Sequence, residues 1–139
     1  MQRRRLDDWA DRLMLTIAGH QAMPFAWGRA DCATLFGDCV WAMTGVDPLK
    51  PFRPWDNPRS AAHALFRAGA PDCAAWVATI LPQIAPAQAQ RGDFGYASGP
   101  RDRLQFPAVI TGAEAMSRNE TGWVVFPRSL VTQAFTIGR

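Results

Sequence analysis

The sequence predicts an α+β fold, with helices packed on one face of a small antiparallel sheet. Three observations carry this. Up to about residue 81, apolar residues recur three and four apart, the spacing of a helix face. From about residue 92 the pattern changes to short runs broken by glycine and proline, the spacing of strands and turns. Between them, at about 82–91, lies a stretch rich in Ala, Pro and Gln that reads as a polar linker. The 139 residues favour one domain, 1–139, with a helical half at about 4–81 and a sheet half at about 92–139.

The helical half opens with an amphipathic helix over Leu6–Gly19, its stripe made of Leu6, Trp9, Leu13 and Ile17. A loop follows, with Phe25 and Trp27 as apolar anchors. The next helix begins at Cys32, with Asp31 as its N-cap, able to accept from the backbone of Ala33 or Thr34. Its stripe is Cys32, Leu35, Phe36, Cys39, Val40 and Met43, and it ends near Thr44 and Gly45. Prolines 48, 51 and 54 then exclude regular structure. Phe52 and Trp55 in that run read equally as a docking loop or as core cover. Asn57-Pro58 starts a short helix to about Ala68, with Ala61, Leu65 and Phe66 facing inward. Asp72 caps another, from Cys73 to about Leu81, with Trp76, Val77 and Ile80 as its stripe.

In the sheet half, strands are expected at Phe94–Ala97, Leu104–Thr111, Gly122–Phe126 and Val131–Ile137, and Ala113–Met116 as a continuation. Gly99-Pro100 reads as a turn, and Arg118, Asn119 and Glu120 as a hairpin tip. Pro107 marks its strand as an edge or a bulge.

Composition narrows the function classes. A hydrophobic content of 48% supports a real core. The net charge is +3, with Lys50 the sole lysine among the cations, and the run Arg3-Arg4-Arg5 is too short to indicate nucleic-acid binding. Three cysteines with no CxxC pair argue against a zinc site and a disulfide framework, and no cofactor is implied. Cys32 and Cys39 share a helix face roughly 10 Å apart, too far for a disulfide. No apolar run is long enough to span a bilayer, and no signal peptide is visible.

Cys32 is the candidate nucleophile. A thiol inside a helix N-terminus feels the positive end of the helix dipole, which favours the reactive thiolate. The plain alternative is a small buried thiol on the apolar face of its helix. A catalytic cysteine needs a base, and the chain has two histidines, His20 and His63. His20, in the loop before the Cys32 helix, is the better placed; His63 falls in the middle of its helix. Asp93 reads as ordering a turn.

The residues Trp27-Gly28 … Asp31-Cys32-Ala33-Thr34-Leu35 resemble the "WG…DCSGLV" motif of NlpC-type cysteine peptidases, and Gly92-Asp93 resembles the "GD" that opens their sheet. The sequence also resembles a phage and prophage family of unknown function related to those enzymes, with the pattern "PFxWGxxDC…TGxDP…QRGD". Here that pattern is Pro24, Phe25, Trp27, Gly28, Asp31 and Cys32, then Thr44, Gly45, Asp47 and Pro48, then Gln90 to Asp93. The resemblance implies a papain-like fold and attack of Cys32 on a peptide carbonyl. The histidine of the resembled pattern, however, belongs in "HVGIYLG", on the strand after "GD". Aligned on Gly112, that position is Phe106, and the third polar position falls in the apolar run Gly122–Phe126.

The resemblance, with this departure, implies a degenerate peptidase fold serving as a structural and interaction component of a phage or phage-like tail tip, in the baseplate hub region. Its implied partners are other tail-tip and hub proteins, and its implied location is the virion, after synthesis in the host cytoplasm. The alternative is an active cysteine peptidase or amidase cutting peptidoglycan peptides, with His20 as base. A third reading, a thiol-dependent ligand or acyl-carrier role, requires only that Cys32 be exposed.

Overall fold

The computed structural model describes residues 4–70, 72–97 and 104–139. Among them are four helices and a six-stranded antiparallel sheet, an α+β architecture. The expected turn at Gly99-Pro100 lies outside the described residues.

The helices are α1 (Trp9–Gln21), α2 (Cys32–Thr44), α3 (Pro58–Arg67) and α4 (Cys73–Ile80). Three begin with side-chain caps. Asp31 accepts from the Thr34 N–H while the Thr34 hydroxyl accepts from the Asp31 N–H, a reciprocal capping box. Asn57 and Ser60 repeat the device on α3, where Pro58 takes the first helical position. Asp72 accepts from the Ala75 N–H on α4. Gly45 stops α2 in the left-handed region at φ 79°.

The strands are β1 (Gln83–Ile84), β2 (Phe94–Ala97), β3 (Ala108–Ile110), β4 (Glu114–Asn119), β5 (Gly122–Pro127) and β6 (Val131–Phe135), in the order β1-β6-β2-β3-β4-β5. Several expectations are corrected here. The stretch expected as a linker contributes β1, which pairs with β6, and a single 3₁₀ turn over Pro86–Gln88. Pro107 lies just before β3, so it needs neither an edge nor a bulge, and β3 pairs on both sides. Arg118 belongs to β4 and is buried, and the hairpin turns at Glu120 and Thr121. The strand that follows β3 is β4, Glu114–Asn119, with β5 after it.

The core lies between the sheet and the helices. Leu13, Ile17, Phe36, Cys39, Val40 and Met43 pack toward Phe94, Val109 and Phe135. Trp55 is buried, and Phe52 packs edge-on against Trp76 at 5.7 Å, so both cover the core. Phe66 is not part of it: α3 turns this ring outward, 79% exposed.

The chain closes around Asp93. Its carboxylate is fully buried and accepts from Arg5 (2.9 Å), Arg139 (2.8 and 2.9 Å), the Thr136 hydroxyl (2.7 Å) and the Gln90 N–H (2.8 Å). Arg5 also donates to the Gly138 and Arg91 carbonyls, at 2.8 and 3.2 Å. Asp93 therefore does more than order a turn: it ties the start and end of the described chain to the opening of β2. No helix of the described residues is long and apolar enough to cross a membrane.

Candidate functional site

The loop before α2 is shaped by one glycine and one aspartate. Gly28 has φ 79°, and a Cβ there would lie 1.7 Å from the Trp55 carbonyl oxygen, so only glycine fits. The buried Asp31 carboxylate accepts from the Gly28 N–H (2.8 Å) and from Trp55 Nε1 (2.7 Å), besides capping α2. The WGxxDC signature thus has a structural account: it locks the turn, starts the helix and pins Trp55. Phe25 and Trp27 meet edge-to-face at 5.1 Å on the same loop.

Cys32 stands at the first turn of α2, half-buried, where two spaces meet. One is an open groove of about 840 Å³ between Phe25 and Trp27 on one side and Trp123 and Val124 on the other. The second is an apolar cavity of about 180 Å³ beneath α3, lined by Trp76, Phe106 and the inner face of that helix. Trp27, Asp31, Cys32 and Gln105 line both.

The thiol is not activated. Burial pushes Cys32 up to about 12 from 9.0, and the neighbouring Asp31 carboxylate adds to the rise. The backbone of Phe106 and of Ala33 pulls the other way without offsetting it. The helix dipole expected to favour the thiolate is therefore outweighed by desolvation and by a negative neighbour. Burial likewise pushes Cys73, also on the cavity wall, up to about 11.

The two histidines are placed elsewhere. His20 is buried at the end of α1, with Nε2 2.8 Å from Asp38 Oδ2. Asp38 in turn accepts from Arg53 at 2.7 Å, and Arg53 donates to Asp47 at 3.0 Å. That network holds the proline-rich loop to α2. His63 lies on the exposed face of α3. Among the described residues, no histidine lines the groove or the cavity at Cys32. Phe106 does line the cavity, ring to ring with Phe36 and Trp76 at 5.8 Å each.

Sequence reasoning missed Arg118, which lines the groove. Its guanidinium donates to the His20 carbonyl (2.7 Å) and the Met23 carbonyl (3.0 Å), and stacks on Trp123 with 5.3 Å to the ring centre. Burial pulls its pKa down, opposed by the Asp31 carboxylate. These partners are 95 and 98 residues away in the chain, so no local pattern reports them.

The features define an α+β domain organised around a cysteine-headed helix, with a neutral thiol between a groove and an apolar cavity. The chain belongs to the DUF6950 family, a domain of unknown function, whose profile matches residues 4–137. No curated protein matches the chain.

Proposed function

We propose that this chain is a structural and interaction component of a phage or phage-like tail tip, built on an NlpC-type, papain-like fold that has lost its catalytic machinery. The observation that carries the loss of catalysis is the pairing at Cys32. The resembled motif calls for histidine at position 106, and the residue there is a phenylalanine that lines the same cavity as the thiol. Among the described residues, no histidine lines the space at this thiol to take its proton, and without a base acyl transfer has no first step. His20, the other candidate base, lines neither the groove nor the cavity at Cys32.

The tail-tip role is inferred from the resemblance of the "PFxWGxxDC…TGxDP…QRGD" pattern, with other tail-tip and hub proteins as the implied partners. Mass spectrometry of purified tails is expected to detect the chain, and its absence from them would sink the assembly role.

One observation favours the second reading, an active cysteine peptidase or amidase: Cys32 is only half-buried and faces an open groove. Incubating the chain with peptidoglycan stem peptides separates the two. No release of new amino groups is expected. Cleavage that disappears in Cys32→Ser would replace the structural reading with the enzymatic one.

A further inference from the structure

We propose that the cavity beneath α3 binds one uncharged apolar group, the size of a single aromatic ring or a branched aliphatic chain, admitted from the groove past Cys32.

Size comes first. The cavity holds about 180 Å³, and an apolar cavity of about 150 Å³ is enough to take up benzene. The walls come next. Ala61, Ala64 and Leu65 of α3 and Ala68 at its C-terminal cap line the space, together with Trp76 and Phe106. Protein interiors close gaps by interdigitation. Here the bulky Phe66 points to solvent, 79% exposed, while its neighbours on the inner face are mostly alanines. The helix is registered to leave the space open.

Polarity fixes the ligand class. Asp31 is the one charged lining residue among the described residues. Its two oxygens are already committed to the Thr34 and Gly28 amides and to Trp55 Nε1. A charged guest would be desolvated with no partner, whereas an apolar guest loses nothing. The shared lining of groove and cavity at Trp27, Cys32 and Gln105 sets the entrance.

An apolar group of this kind comes from one of two sources, a free small hydrophobe or a side chain of a peptide lying in the groove. The inference goes beyond the tail-tip reading, and its test needs no tail.

The full chain is titrated with toluene, with N-acetyl-phenylalanine amide and with N-acetyl-glycine amide, following indole N–H resonances and the melting temperature. Toluene is expected to shift the Trp55 and Trp76 signals saturably and to raise the melting temperature. Tighter binding of the capped phenylalanine assigns the peptide source; binding of toluene alone assigns the free hydrophobe. The glycine amide is expected to do nothing, and equal shifts from it would overturn the proposal, as would silence from both apolar probes. Ala64→Leu fills the cavity and is expected to weaken binding at least tenfold while melting no lower than the parent. Ala61→Val serves the same purpose should the leucine disturb folding, and Phe66→Ser, on the outer face, should leave binding unchanged. Undiminished binding in a filled variant that remains folded would place the site elsewhere and overturn the proposal.

Discussion

Two buried aspartates, Asp93 and Asp31, do different work in this molecule. Asp93 is surrounded by cations and a hydroxyl: Arg5, Arg139 and Thr136 converge on it. Asp31 meets only neutral donors, two backbone amides and an indole, and beside it the fold keeps a cavity of about 180 Å³. At Asp93 the carboxylate's charge is balanced on the spot and serves to hold distant chain segments. At Asp31 three hydrogen bonds from neutral donors hold the charge, with no ion pair in contact among the described residues, and it bears on its neighbours: it opposes the fall of the Arg118 pKa and helps keep Cys32 protonated. One aspartate closes the fold; the other shapes a site.

The comparison breaks most visibly at Asp93. Asp93→Ala leaves the Arg5 guanidinium buried without its counter-charge, and a loss of about 3–5 kcal/mol is expected in urea denaturation. A loss under 1 kcal/mol would mean the cluster holds nothing. Asp31→Ala should cost less, about 2–3 kcal/mol, because it removes a cap and strands a buried indole N–H but no buried charge. If the two variants prove equal, ion pairing adds nothing at Asp93.

Alkali sharpens the Cys32 side. Its thiol titrates higher folded than unfolded, so the unfolded chain gives up this proton first. The associated stability is whole below pH 9.0 and declines as pH rises toward about 12. Replacing Cys32 with Ser should flatten part of that decline in pH-resolved denaturation curves. By the same reasoning, alkylation of Cys32 should lag behind a free thiol throughout the range below its folded pKa. Rapid modification at neutral pH would reverse the account of an idle thiol. The smallest effect belongs to Phe66→Ser, within about 0.5 kcal/mol, as for any substitution of a ring that touches little.

Much of the helical half could be read in advance because its signals are local. Asp31 and Gly45 bracket α2, and both act within a few residues of where they stand. Phe66 misled because a large apolar residue beside alanines attracts a burial assignment, when the α3 inner face is built of the alanines. Strand β1 was invisible because two residues have no periodicity; partner β6 defines them. The groove was harder still. Phe25, Trp27 and Cys32 on its walls stand out in the sequence, but Arg118 depends on contacts made only after the chain folds, as does the engagement of His20 with Asp38 away from the groove. The cavity itself is a shape, and residue types alone do not report a shape.

Helix α3 has one more consequence, for how such a chain changes over generations. Its two ends are secured by its own residues, through the Asn57–Ser60 box at the start and the turn at Gly69 after it. The volume beneath it is set by the Cβ atoms of a few alanines. An alanine codon reaches glycine, serine, threonine or valine by one base change. Sister sequences can therefore resize the space in single steps, leaving the α2 cap, the sheet and the Asp93 cluster as they are, so the chamber can diversify on an unchanged frame.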